Sequence, residues 1–218
     1  MSRIGVVLSG CGFMDGAEIH EATLTLLYLD TLGEEIVCMA PDASVIDTVD
    51  HARRKPGGEK RNVLAESARI ARGAIRDIAG VKAEELDALV FPGGFGAAKN
   101  LCDWATKGPD CTVNKDVERL IKELYKQKKP LGFICIAPVL AAKVLGSQGI
   151  SLTIGNDAAT ARGIEQTGAK HKNCAVDETC VDSTHRLVST PAYMLGPSIA
   201  PVSKGIQKLV NQISAWTK

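Results

Sequence analysis

Aromatic residues are scarce in this 218-residue chain, with four Phe, three Tyr and two Trp, too few for a surface on which bases stack. Excess charge of either sign is also missing. With 26 Lys and Arg against 25 Asp and Glu the formal charge is +1, so the chain carries no electrostatic footprint for nucleic acid or an anionic membrane. No apolar run reaches the length of a secretory leader or a membrane span, and a strand pattern starts almost at once at Ile4, so a cytoplasmic location is expected. The seven cysteines (Cys11, Cys38, Cys102, Cys111, Cys135, Cys174 and Cys180) are odd in number and irregular in spacing. They fit neither a zinc pattern nor a secreted disulfide framework, and reduced thiols are expected. Internal repeats and low-complexity tracts are absent, and the length suits one hydrophobic core. A single domain over residues 1–218 with a small-molecule or protein-directed activity is the expectation.

Against that background, four continuous apolar runs stand out: Ile4–Leu8, Ile36–Met39, Ala88–Phe91 and Leu131–Cys135. Bounded by Gly or Pro and separated by amphipathic segments, they read as strands buried on both faces of a parallel sheet. The helical segments are Glu18–Leu32, with Leu24 and Leu27 at helical spacing and Gly33 as its stop; Asn62–Ile78, with Leu64, Ala68, Ala71 and Ile75 on one face; and Asn114–Lys128,. Beyond Leu145 short strand-like pieces follow at Ser151–Ile154, Cys174–Val176 and Arg186–Thr190, then a closing helix at Ile199–Trp216,. The polar stretch from Asp47 to Arg61, with His51 and a basic cluster, reads as a flap on the surface. The class is a doubly wound α/β layer.

Three segments carry chemistry. In Leu131-Gly132-Phe133-Ile134-Cys135-Ile136-Ala137-Pro138 a strand runs into a cysteine and directly into a helix. Such a junction thrusts a side chain into the crevice at the carboxyl edge of the sheet, above helix N–H groups that favour a thiolate. Cys135 is therefore a candidate nucleophile, with a buried core thiol as the alternative. In Phe91-Pro92-Gly93-Gly94-Phe95-Gly96 the paired glycines let backbone N–H groups point at a ligand, which makes Gly94 a candidate oxyanion donor alongside the N–H of Ile136, with Gly93 beside it. The third segment, Ser9 to Ala22, returns to the same edge and offers Asp15, Glu18, His20 and Glu21 as partners for the thiol, with Cys11 as a further candidate contact. The acids could equally complement the N-terminus of the first helix. His20 and Glu21 are adjacent and diverge around a helix, so no metal site is expected there. His51, His171 and His185 are expected to be exposed.

These segments, with Arg61-Asn62-Val63-Leu64 and Thr190-Pro191-Ala192-Tyr193-Met194, resemble the PfpI/ThiJ superfamily, whose fold is like that of class I glutamine amidotransferases, and within it the ElbB subgroup of isoprenoid biosynthesis glyoxalases. The resemblance implies a flavodoxin-like three-layer sandwich, α/β, with a mostly parallel central sheet and helices on both faces. It also implies a nucleophilic Cys135 on an elbow. Aligned on Gly33, it places Glu21 rather than Glu18 as the glutamate that pairs with the thiol, with Glu18 close by. Relatives with glyoxalase activity convert 2-oxoaldehydes such as glyoxal and methylglyoxal to glycolate and lactate through a cysteine hemithioacetal, without glutathione, metal or other cofactor. The fold commonly dimerises, so a homodimer is expected, with an aldehyde as the small-molecule partner. One departure stands out: Thr153-Ile154-Gly155-Asn156-Asp157 occupies the region where many superfamily members carry a histidine. Neither His171 nor His185 is followed two residues later by glutamate, which disfavours release of ammonia from glutamine and makes weak glyoxalase activity the expectation. A cysteine-based deglycase or amidase, and a non-catalytic redox sensor oxidised at Cys135, are the alternatives.

Overall fold

An apolar run that is buried on both faces belongs in the interior of a parallel sheet, and Ile4–Val7 lies there. In the computed structural model, which describes residues 1–218, β1 (Arg3–Val7) is followed by α1 (Ile19–Thr31), β2 (Glu35–Ala40), β3 (Val49–Asp50), β4 (Lys55–Pro56), α2 (Val63–Ile70), β5 (Arg76–Asp77) and β6 (Ala88–Phe91). Then come α3 (Phe95–Lys99), α4 (Trp104–Lys107), α5 (Lys115–Lys126), β7 (Leu131–Ile134), α6 (Pro138–Leu145) and β8 (Ser151–Leu152). The chain closes with α7 (Ala158–Gln166), β9 (Lys170–His171), β10 (Cys180–Asp182), β11 (Leu187–Thr190) and α8 (Ile199–Thr217). Seven strands form the main sheet in the order β10-β11-β7-β6-β1-β2-β5. Every neighbouring pair is parallel except β10, which runs antiparallel to β11 at the edge. The pairs β3–β4 and β8–β9 stand apart as small ribbons.

Helices cover both faces, giving the three-layer α/β sandwich. Side chains alternate across a strand, and β7 shows the consequence. Gly132 leaves room for Leu209 and Ile213 of α8, which a Cβ would meet at 3.1 and 3.4 Å. Phe133, pointing the other way, stacks on Phe91 with ring centroids 4.9 Å apart. On that side α5 packs against α6, and on the first α8 packs against α1. One cluster of 53 buried residues joins all these elements.

Local readings of the helices needed correction where tertiary packing decides which side is covered. On α1 the buried positions are Glu21, Ala22, Thr25 and Leu29, while Leu27 is 51% exposed. On α2 they are Val63, Glu66 and Ser67, and the helix stops at Ile70 instead of running on to Ile78. Positive φ at Arg72 (54°) and Gly73 (83°) turns the chain into β5 there. Cys174–Val176 forms no strand, and α7, which was not foreseen, starts from Asp157 as N-cap. The Asp47–Arg61 stretch is a hairpin tied to the first loop: Val49 N–H donates to Asp15 Oδ2 at 2.7 Å, and the His51 ring meets Phe13 edge to face at 5.4 Å. His171 accepts from Ile154 N–H (3.3 Å), and His185 sits 2.8 Å from Asp182. These three histidines are half-buried and structural, not exposed.

Candidate active site

Four parallel strands end at one rim, and each delivers a piece of the site,. After β7, Cys135 adopts φ 62°, a left-handed conformation that costs an ordinary L residue free energy and is held here by its surroundings. Its N–H continues the sheet by donating to Thr190 O at 2.9 Å, while Pro138 starts α6 three residues on. That combination projects the side chain into the crevice in place of the sheet faces. Cys135 is 7% exposed and lines a cavity of about 390 Å³.

After β6, Gly93 and Gly94 turn the chain past the sulfur. The backbone N–H groups of Gly94 and Ile136 face the Cys135 sulfur and favour its anion. Gly94 has φ 91°, the left-handed region where glycine is at ease,. Gly93, expected beside these donors as a further oxyanion or substrate contact, turns its own backbone groups to α1. Its N–H donates to Glu21 Oε2 at 2.9 Å and its carbonyl accepts from Glu18 N–H at 2.9 Å, so it locks α1 to the sulfur's turn. There is no room for a side chain: a Cβ at Gly93 would lie 2.4 Å from Cys135 Cβ and 2.6 Å from Glu21 Oε2.

The two glutamates are separated by function in the geometry. Glu21 is fully buried beside Cys135, both packing against Gly93, and it accepts from Gly93 N–H and from Tyr193 N–H (3.1 Å to Oε1). Glu18 is the N-cap of α1: its Oε2 accepts from Glu21 N–H at 2.7 Å, which fixes the first turn, and its side chain lines the cavity,. Cys11 is not brought to this cavity. It lies half-buried in a tight niche with Asp15, Val45, Arg61 and Glu66, and burial followed by the charge of Glu66 pushes its thiol up. Asp15 anchors the hairpin and His20 is exposed on α1, its Nδ1 2.7 Å from Tyr193 Oη.

Electrostatics overturn the expectation of a ready-made thiolate. Burial, then the nearby Glu21, holds the Cys135 thiol well above its ordinary value, and these outweigh the N–H groups of Gly94 and Ile136 that favour the anion,. Burial and the charge of Glu18 likewise raise Glu21, to about 8. Two acids side by side and out of water resist carrying two negative charges, so the pair always keeps at least one proton. Chemically, the arrangement places a thiol beside a carboxyl that can serve as its base, with backbone N–H groups at the same sulfur that can face an oxyanion. No group of three or more His, Cys, Asp and Glu is disposed to hold a metal ion.

Several cavity residues went unread in the sequence. Phe13, Asp157, Thr160 and Met194 line the space above Cys135 with Phe95, Ile136 and Tyr193. Asp157 carried a local signal, since its side chain caps α7 by accepting from Thr160 N–H at 2.8 Å, a helix-start pattern of Asp with polar company. Phe13 and Met194 carried none, because nothing local says which loop residues meet across the rim.

No family model matches the chain. Glutamine amidotransferase-like class 1 domain-containing protein 3, mitochondrial, of Homo sapiens is 47% identical over 226 residues, covering 99% of this chain and 84% of that protein. The ES1 protein homolog, mitochondrial, of Rattus norvegicus is 46% identical with the same coverage. Both relatives are named as mitochondrial, a compartment that the cytoplasmic expectation for this chain does not share; no helix here is long and apolar enough to cross a membrane. The crystal structure of an isoprenoid biosynthesis protein with an amidotransferase-like domain from Ehrlichia chaffeensis superposes with a TM-score of 0.93 at 36% identity over all of both chains. Glyoxalase III from Candida albicans superposes with a TM-score of 0.64 at 12% identity, covering 98% of this chain and 96% of that one, a likeness of fold alone.

Proposed function

Since this chain belongs to the glutamine amidotransferase-like class 1 (ES1) family, we propose that it is a glutathione-independent glyoxalase-type enzyme, converting 2-oxoaldehydes to 2-hydroxy acids. Glyoxal and methylglyoxal are the smallest such substrates, giving glycolate and lactate. The observation that carries the reading is the buried contact between Cys135 and a Glu21 carboxyl whose pKa is raised to about 8, where a base works best near neutral pH.

In the form with Glu21 ionised, the sulfur of Cys135 bonds the aldehyde carbon as its proton passes to Glu21, and the former carbonyl oxygen, its negative charge facing the N–H groups of Gly94 and Ile136, takes that proton from Glu21. Glu21, again a carboxylate, removes the hydrogen from that carbon to form an enediolate. It returns the proton to the adjacent carbon while the hydroxyl proton of the first carbon moves to the neighbouring oxygen, which leaves a thioester of the 2-hydroxy acid. Water then cleaves the thioester, releasing the acid and restoring the thiol. The balance is one aldehyde plus one water to one hydroxy acid, with no external oxidant or reductant. Glu21 is held for this task by Gly93 and Tyr193 N–H groups, which fix both oxygens without neutralising the carboxyl.

The test is chemical. Purified protein with methylglyoxal and chelator, without glutathione, should form lactate, and Cys135→Ala should not. Equal lactate from the variant ends the proposal. Deglycase or amidase chemistry would use the same sulfur and is separated by supplying glycated amines or amides in place of the free aldehyde. The redox-sensor reading draws less support, because a buried thiol held above its ordinary pKa is a poor target for peroxide,.

A further inference from the structure

The cavity over Cys135 is too large and too greasy for the aldehydes named above. A water's share of liquid volume is ~30 Å³, so methylglyoxal, with five heavy atoms, fills well under half of the 390 Å³ available. Ligand cavities of a few hundred Å³ ordinarily hold molecules several times that size.

The lining has a consistent chemistry. Two of the chain's four Phe, Phe13 and Phe95, stand here 43% and 51% exposed, while the other two are stacked in the core. Phe13 rests edge to face on His51 at 5.4 Å and Lys99 Nζ lies 5.9 Å from the Phe95 ring centre, and what both rings leave open faces the mouth of the cavity. Ile136 and Met194 continue the apolar wall down to the sulfur. The charged groups that line the cavity are both acidic, Glu18 and Asp157, while the cations nearby stand behind the lining, Lys99 over the Phe95 ring and Arg162 near Asp157. Asp157, hydrogen-bonded by Thr160, is held below the usual carboxylate range and is an anion at neutral pH.

Resting on the glyoxalase reading of this site, we infer that its substrates are 2-oxoaldehydes bearing a bulky apolar group, aryl or branched alkyl, and that aldehydes carrying a carboxylate or phosphate are excluded. The apolar group lies between Phe13, Phe95 and Met194 while the aldehyde carbon reaches the sulfur. The same acidic rim that rejects anionic substrates repels the hydroxy acid once it forms, which speeds its departure.

Two measurements test this. In the first, kcat/KM is compared for phenylglyoxal, methylglyoxal and 4-carboxyphenylglyoxal by chromatography of the hydroxy acids. Phenylglyoxal should exceed each of the others at least tenfold, the scale of one buried aromatic ring. The second needs no turnover. Cys135 is alkylated with iodoacetanilide, iodoacetamide and iodoacetate, and each rate, read by peptide mass spectrometry, is divided by that for free cysteine. In each case a carbon–sulfur bond forms, iodide leaves and the thiol proton is lost to solvent. The normalised order should be anilide, then amide, then acetate, with about tenfold between the extremes. Phe95→Ala should shrink the anilide-to-amide ratio several-fold, and Asp157→Lys should raise the acetate rate relative to the amide. Equal normalised rates for the three reagents, or a preference for iodoacetate, overturn the inference. If the alkylation order holds and no aldehyde yields hydroxy acid, the glyoxalase reading falls while the selectivity of the cavity stands. Hydroxy acid formed without preference leaves the reading and removes the inference.

Discussion

The parallel sheet buries a glutamate at each end, and the two are treated in opposite ways. At the amino edge, Glu34 precedes β2, where Ser2 N–H (2.7 Å) and Ser214 Oγ (2.5 Å) both donate to it. Burial pushes its pKa up, but those bonds and the positive charges of Lys218 and the N-terminus outweigh it, and Glu34 is held below the usual carboxylate range. At the carboxyl edge, Glu21 accepts two N–H groups as well, yet it faces Cys135 and Glu18 with no cation among its partners, and its pKa climbs to about 8. Burial alone does not make a functional acid. The company decides: a carboxylate given donors and counter-charge becomes a structural tie, and one given acidic neighbours holds its proton into the neutral range, as the proposed proton transfer requires.

Removing the sulfur breaks the contrast most severely. Cys135→Ala should reduce hydroxy acid formation to background, measured with any 2-oxoaldehyde the protein turns over. Glu21→Gln should follow, with a loss of roughly 10²–10⁴-fold in kcat, the usual worth of a positioned acid or base. Gly93→Ala comes next: its Cβ would press on both Cys135 and Glu21, so activity should fall steeply and stability by about 1–3 kcal/mol in denaturant titration.

A pH series sharpens the same comparison. The wild-type kcat/KM should rise with pH through about 8 as Glu21 gives up its proton, and this limb should vanish in Glu21→Gln. Stability should move the other way. The folded protein holds the Glu21 proton more tightly than the unfolded chain, whose carboxyl sits near 4.5, so stability is full at acid pH and declines between about 4.5 and 8. One proton gives a slope of at most about 1.4 kcal/mol per pH unit. Glu34 has the reverse sign, since its lowered pKa contributes stability above the usual carboxyl range that fades as pH falls through its folded value. Glu34→Gln should leave the rate unchanged and cost about 1–3 kcal/mol at neutral pH, the smallest functional effect of the set.

Much of the scaffold was legible because its signals are local. Four apolar runs became β1, β2, β6 and β7 within a residue or so, and the helices read as beginning at Asn62 and Asn114 start one residue later, with those two residues as their N-caps. Local signals failed where burial depends on a partner far along the chain. Leu27 and Leu64 have the right spacing for an inward face, but α1 turns Glu21 and Thr25 inward, where Glu21 accepts from the N–H groups of Gly93 and Tyr193 and Thr25 Oγ1 donates to Glu21 O. α2 turns Ser67 inward, whose hydroxyl accepts from Gly10 N–H at 2.9 Å. Glu18 and Glu21 could not be told apart from helix periodicity, which puts residues three apart on one face; the contacts of Gly93 and Tyr193 distinguish them. Cys11 and Cys135 both lie in turns that follow core strands, and the parallel pairing of β6 with β7 sets Cys135 beside Gly94 at the cavity while Cys11 stays outside it.

By itself the amino-acid sequence determined the alternation of buried strand and amphipathic helix, the sharp strand-to-helix junction at Cys135 and the glycine pair beside it, since each rests on interactions within a few residues. The tertiary structure alone decided which acid meets the sulfur, that the sulfur stays protonated, and that Phe13, Phe95 and Asp157 share its cavity. Those outcomes depend on desolvation and on distances between loops from different strands, and neither quantity exists until the sheet has assembled.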